Sequence, residues 1–333
     1  MQTISIALCT YNGSRFLREQ LQSLANQTLL PFEVIITDDC STDDTAEIVK
    51  EFSEILNIRF LVNGVPLKVT KNFEKAISLC KGDIVLMCDQ DDLWHRNKLE
   101  VINRYFQQNP DKLVVFCDAE LVDEHGKSLQ KNFWSVVRFH QPQIEQWKAG
   151  KEVEILLAGN RSAGCMMAFR KELLPFIMPF PTHIPAMIHD NWITLVAAVL
   201  DKIGIIEDRL ISYRQHSSQQ IGTRPKETGK VLTLKERFSR SRTEKLYPFL
   251  VKRDYFCTLK ETLEKRIEQN NEHLTKLDRI INFYEVRGTL SPFHLARLIP
   301  VLKLLLSGDY HLYKDQEASW KAPFVAAIGD LLE

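Results

Sequence analysis

The stretch Ile84-Val85-Leu86-Met87-Cys88-Asp89-Gln90-Asp91-Asp92 carries most of the information about this chain's architecture. Its five consecutive apolar residues fit a strand buried on both faces, and they run directly into three carboxylates. A strand of that kind belongs to a mostly parallel sheet with helices on both sides. Such sheets bind ligands at the carboxyl ends of their strands, where this acidic run falls. Carboxylates so closely spaced repel one another unless a cation offsets them. Their donor type suits Mg2+ or Mn2+, which favour oxygen ligands and commonly share them with a phosphate. The plainer alternative is a solvated turn whose aspartates cap the helix beyond Leu93.

The flanking sequence repeats the pattern. Ile4 to Cys9 reads as a buried strand ending in Thr10-Tyr11-Asn12-Gly13, and Val34 to Thr37 as a second ending in Asp38-Asp39-Cys40-Ser41. Ile58 to Val62 and Leu113 to Cys117 add two more. Between them, Leu17, Leu21 and Leu24 mark a helix with Ser14 as its cap. Ala46, Val49 and Phe52 mark another behind a box-like Ser41 and Asp44. Phe73, Ala76, Ile77 and Cys80 mark a third, closed by Gly82, and Leu99, Ile102 and Phe106 a fourth. The middle region predicts a segment from Gly164 to Arg170, a helix from Asn191 to Leu200, and strands near Ile203 to Ile206 and Leu210 to Tyr213. No G-x-G-x-x-G or Walker A sequence follows the first strand, which disfavours dinucleotide dehydrogenases and P-loop kinases.

The 333 residues hold 43 Lys plus Arg against 43 Asp plus Glu, and this zero net charge argues against a nucleic-acid partner. No segment approaches the roughly 20 apolar residues of a membrane span, and the first residues lack the basic start of a signal peptide. Seven widely spaced cysteines without a C-x-x-C predict a reduced, cytoplasmic protein.

Taken together, the Thr10-Tyr11-Asn12 turn and Asp38-Asp39-x-Ser41-x-Asp43 resemble the family 2 glycosyltransferases of GT-A fold. Asp89-Gln90-Asp91-Asp92-x-Trp94 looks like their DxD region, in the form of rhamnosyltransferase-like bacterial members. Gly164-Cys165, His189-Asp190-Asn191-Trp192 and Tyr213-Arg214-Gln215-His216 extend the resemblance over residues 1–223. It implies an inverting transferase using a nucleoside-diphosphate sugar and a divalent metal, acting in bacterial surface polysaccharide or glycan assembly. The resemblance assigns Thr10, Tyr11, Asn12 and Asp39 to the nucleotide, with Lys71 and Asn72 close by. It sets Asp89, Gln90 and Asp91 at the diphosphate, Asp91, Asp89 and His216 at the metal, and Asp190 as the base. The alternative is a non-catalytic sugar-nucleotide-binding scaffold of the same fold.

Residues 224–333 form a helical extension outside the resemblance. Residues 224–253 carry ten Lys or Arg against three Glu. Leu263, Ile267, Asn270, Leu274, Leu277, Ile281 and Tyr284 follow a coiled-coil-like spacing along one long helix. The seam suits an intramolecular hairpin or a homodimer. The basic stretch and Leu298 to Leu306, with Arg297 and Lys303, suit a solvated loop and a core helix. Alternatively they suit peripheral contact with an anionic membrane carrying a lipid-linked glycan acceptor.

Overall fold

The computed structural model describes residues 2–217, 219, 239–268, 271–313 and 320–332. The chain divides into two compact units, Met1–Arg224 and Pro225–Glu333.

The first unit is built on one nine-stranded sheet. Its strands are β1 (Ile4–Thr10), β2 (Glu33–Asp38), β3 (Ile58–Val62), β4 (Ile84–Cys88), β5 (Leu93–Trp94), β6 (Val114–Val122), β7 (Ser128–Asn132), β8 (Met167–Arg170) and β9 (Ile203–Arg214). The order is β3-β2-β1-β4-β8-β6-β9-β5, with β7 on β6. The first four strands are parallel, as their apolar runs predict. β8 enters antiparallel between β4 and β6, β5 and β7 are also antiparallel, and β6 pairs parallel with β9. Cys9 lies level with Thr37, and Leu8 with Cys88, so the turns after β1, β2 and β4 open at one edge.

Helices α1 (Ser14–Ala25), α2 (Thr45–Phe52), α3 (Lys68–Leu79) and α4 (Lys98–Gln108) connect these strands. Leu17, Leu21 and Leu24 of α1, Phe73 and Ile77 of α3, and Leu99 and Phe106 of α4 are all buried. Each contributes about 1.5–3 kcal/mol relative to exposure. Four short helices follow: α5 (Phe133–Val136), α6 (Gln141–Lys148), α7 (Glu152–Leu157) and α8 (Leu174–Ile177). Then comes α9 (His189–Val199), buried on nearly every side.

Several local expectations change. Ser14 is the first residue of α1 rather than its cap, and Asp43 Oδ2 accepts its N–H at 2.9 Å across the β2–α2 turn. No Ser41–Asp44 box forms, because Ser41 donates to Asp38 while Asp43 Oδ1 receives the Thr45 hydroxyl. α3 ends at Leu79, and Gly82 instead lies where a Cβ would come within 2.7 Å of the Ser5 backbone nitrogen. The two strands expected after Ile203 are one twelve-residue strand, its register shifting against β6 beyond Cys117.

The second unit is helical: α10 (Arg242–Glu264), α11 (Glu272–Gly288), α12 (His294–Leu306), α13 (Asp309–Leu312) and α14 (Ala322–Leu332). The single long helix predicted from the seam is instead an antiparallel hairpin of α10 and α11. The chain leaves the helix after Glu264 and restarts where the Asn271 side chain accepts the His273 N–H at 2.8 Å. Asn271 caps the start of the second helix, and the break needs neither Pro nor Gly. Lys260–Asp278 and Arg253–Glu285 pairs link the two arms. Leu263, Leu274 and Leu277 of the seam are buried within the unit, which is the intramolecular alternative. Asn270 and the basic residues 224–238 lie outside the described residues. Among the described residues no helix is long and apolar enough to cross a membrane.

Candidate active site at the strand ends

Side chains lace the three turns together. Gln90 pairs with the Tyr11 backbone, its Oε1 accepting the N–H at 2.8 Å and its Nε2 donating to the carbonyl at 3.1 Å. A Cβ at position 13 would meet Gln90 Oε1 at 2.3 Å, so Gly13 leaves the space this pairing needs. Thr10 Oγ1 donates to Asp38 Oδ2 at 2.7 Å, and Ser41 closes on the same carboxylate. Asn12, at φ 47°, accepts the Thr42 N–H through its side-chain oxygen and donates its own N–H to Ser41 Oγ at 2.8 Å. Asn tolerates this left-handed conformation better than most residues. Tyr11 is 47% exposed and leaves a large ring open to solvent at the rim.

Asp39 faces the loop between β3 and α3. Its Oδ1 accepts the Leu67 N–H at 2.6 Å and Asn63 Nδ2 at 2.9 Å, while Oδ2 accepts the Lys68 N–H at 2.9 Å. Asn72 is buried, donating to the Thr37 carbonyl at 2.8 Å and accepting from Asn63. Lys71 pairs with Glu74 at 2.7 Å. Asn72 and Gln90 therefore spend their side-chain amides on tying elements together, and Asp39 orders the loop beside the turn.

Beyond β4, His216 Nε2 lies 2.8 Å from Asp91 Oδ2, and its ring packs on Phe16 at 4.7 Å. Arg214 is buried beneath this pair. It donates to the carbonyls of Asp91 (2.8 Å) and Glu124 (2.7 Å) and to Glu19 (2.7 Å), and its backbone N–H meets Asp92 Oδ1 at 3.0 Å. Ligand atoms of Asp89, Asp92 and Cys165 lie within 4.8 Å of one another. Burial, then the charge of Asp91, pushes Asp89 up to about 7. Burial, then Asp91 and Asp89, raises Asp92 well above the usual carboxylate range.

Asp92 Oδ2 is buried without an N–H or O–H partner. The Asp92 carboxyl meets the Cys165 thiol, and the crowded carboxylates with the imidazole on Asp91 have the donor types that suit a small divalent ion such as Mn2+ or Mg2+. Sequence reasoning passed over Lys98. Its ammonium is fully buried, donates to the Cys165 carbonyl at 2.6 Å, and sits 3.5 Å from the Trp94 ring centroid. A lysine at a helix start gives no sign of such burial.

Asp190 lies in the first turn of α9 and is 6% exposed. Burial raises its carboxyl to about 7, against lowering by the Asn191 N–H and the Asn160 side chain. Its charge also bears on Asp89, which joins α9 electrostatically to the acidic run. Neighbouring His189 packs against Phe73 at 4.6 Å, and burial holds it down at about 4, so it is neutral. A Cβ on Gly164 would stand 3.0 Å from His189 Nε2, which explains the glycine of the Gly164-Cys165 motif.

A mixed α/β sheet that presents such an acidic edge has the architecture of the GT-A glycosyltransferases. Residues 5–174 match the family described as Glycosyl transferase family 2, and the chain belongs to that family. It is 36% identical over 232 residues to the dTDP-rhamnosyl transferase RfbG of Shigella flexneri, covering 65% of this chain and 73% of that one. It is 28% identical over 218 residues to an uncharacterized protein of Mycobacterium bovis, covering 64% of this chain and 59% of that relative's length. The crystal structure of S. aureus TarS 1–349 in complex with UDP superposes with TM-score 0.55 at 18% identity, over 99% of this chain and 80% of that one. At that identity the likeness is one of fold.

Proposed function

We propose that this protein is an inverting, divalent-metal-dependent glycosyltransferase that moves a hexosyl or rhamnosyl unit from a nucleoside-diphosphate donor to an acceptor hydroxyl. The observation that carries this reading is the pairing of Asp91 with His216 beside Asp89, together with a buried Asp190 raised to about 7 on the neighbouring α9. In this reading Thr10, Tyr11, Asn12 and Asp39 take the nucleotide at the ends of β1 and β2, with Lys71 and Asn72 behind them. Asp89, Gln90 and Asp91 face the diphosphate. Asp91, Asp89 and His216 hold the metal, and Mn2+ or Mg2+ bound there offsets the charge of the departing diphosphate.

Asp190 takes the proton of the acceptor hydroxyl as its oxygen bonds to the anomeric carbon. The bond from that carbon to the diphosphate oxygen breaks in the same displacement, and its electron pair leaves with the nucleoside diphosphate. One base on the face opposite the leaving group inverts the configuration, with no covalent nucleophile. A carboxyl poised near neutrality suits that proton transfer. Identity to a dTDP-rhamnosyl transferase supports a rhamnosyl donor, and the proposed setting is polysaccharide or glycan assembly with a glycan or lipid-linked glycan as acceptor. Seven free cysteines fit a reducing, cytoplasmic setting.

The test is a thermal-shift panel of UDP-, GDP- and dTDP-sugars with Mn2+, followed by NMR of the product's anomeric configuration. Stabilisation by at least one donor and an inverted product are expected. Indifference to every nucleotide sugar would overturn the assignment.

A further inference from the structure

Helices α12 and α14 of the second unit are apolar on two sides. α12 buries Val301 and Leu304 against the unit, yet Leu295 (83%), Ile299 (68%), Leu302 (47%) and Leu306 (85%) stand exposed along its other face. α14 packs against α12 and buries Ala327 while showing Phe324, Ile328 and Leu332 to solvent. Helices apolar all round are normally buried on every side, and exposed apolar patches of this kind mark interaction surfaces. Trp320 and Lys321 lie at one end of the patch and Lys303 on α12, all exposed.

Next to this face is a cavity of about 140 Å³ into which Val325 of α14 also projects. Arg240, Arg242, Lys245, Arg287 and Arg297 line it against one carboxylate, Asp330. That carboxylate is already engaged by Arg287 at 2.6 Å and by the Tyr310 hydroxyl at 2.5 Å. Arg297 donates to the backbone carbonyls of Ser291 and Asp330, and Arg242 to that of Leu290. Carbonyls orient these guanidiniums without cancelling their charge. Arg297 thus turns inward to the cavity, and leucine and isoleucine predominate on the exposed face of α12.

We propose that the α12–α14 face docks on an anionic lipid bilayer, its leucines, isoleucines and Phe324 entering the acyl boundary while the cavity cations meet lipid phosphates. A bilayer surface supplies hydrocarbon and negative charge side by side, which matches the apolar face and its cationic neighbour. Trp320 and the two lysines suit the interface, where amphipathic side chains settle. A second copy of the chain would bring a like-charged cluster toward this one.

The test floats the full chain with vesicles of phosphatidylcholine alone or of equal phosphatidylcholine and phosphatidylglycerol. The native chain is expected to float with the anionic vesicles and to be released by salt. The double variant Ile299→Glu with Phe324→Glu, at exposed positions, should lose about tenfold in bound fraction. Arg242→Glu with Lys245→Glu should abolish the preference for anionic lipid. Circular dichroism establishes that both variants are folded. Absence of flotation by the native chain at low salt overturns the proposal, as does flotation that neither variant reduces. A dimer in sedimentation velocity that Ile299→Glu dissolves, without vesicle binding, makes a second copy the occupant and overturns it equally.

Discussion

In the proposed reading Asp190 joins a chemical role to a pH-dependent effect on stability. Its carboxyl is raised from 3.8 to about 7 by burial, so the folded state holds its proton more tightly than the unfolded chain does. The stabilisation it contributes is complete below the unfolded value and is lost as pH rises through about 7. Asp190→Asn is therefore expected to raise the melting temperature at pH 8 and to change it little at pH 4. Transfer should fall by about two to four powers of ten while donor binding is kept. Native turnover should show an acidic limb near pH 7, set by the ionised base, in kcat/KM profiles. A variant that keeps full turnover would remove Asp190 from the chemistry. Asp91→Ala and His216→Ala address the proposed metal ligands. Each should weaken Mn2+ binding by about tenfold or more in calorimetry, and an unchanged affinity would place the metal elsewhere.

At the scale of elements, glycines set how closely strands and turns approach. A Cβ on Gly82 would lie 2.7 Å from the Ser5 nitrogen and 3.0 Å from the Thr3 carbonyl oxygen, both backbone atoms that cannot swing aside. Gly82→Ala should destabilise the β1–β4 edge by about 1–3 kcal/mol. In urea this reads as a lower midpoint at unchanged slope. Gly13→Ala would collide with the flexible Gln90 side chain, so the expected effect is local. The Tyr11–Gln90 pairing breaks and nucleotide affinity drops, with the denaturation midpoint nearly unchanged. The parallel strands β1, β2 and β4 were legible because burial on both faces leaves nearly continuous apolar runs, while β3, at the sheet's edge and half-exposed, shows only a mixed run around Arg59. The caps of α1 and α2 were not: at α1, Asp43 and Thr45 reach across from another turn to the Ser14 and Gly13 N–H groups, and at α2, Ser41 is drawn to Asp38 while Asp43 takes the Thr45 N–H and hydroxyl. Likewise nothing near Asn271 announces a helix break except the cap residue itself.

Across the whole chain, neutrality is a sum of unlike regions, with carboxylates gathered beyond β4 and cations gathered near the start of α10. A divalent ion that binds the folded carboxylates and not the unfolded chain should raise the melting temperature in proportion to its occupancy. Added Mn2+ is expected to do so, and EDTA to reverse it. No shift in the native chain would contradict the metal assignment. Local composition was enough to establish the α/β class, the strands and helices of the first hundred residues, and the acidic and histidine motifs, because apolar periodicity and runs of like charge are short-range properties. The folded arrangement was needed to set Asp91 against His216, 125 residues apart in the chain, and to bury Lys98 and Arg214 beneath the acidic turn. It also committed Asn72 and Gln90 to holding elements together and moved Asp190 to about 7. Those outcomes depend on which distant groups share a dry interior, where partners and burial govern charge, and such neighbours are brought together by sheet order rather than by sequence proximity.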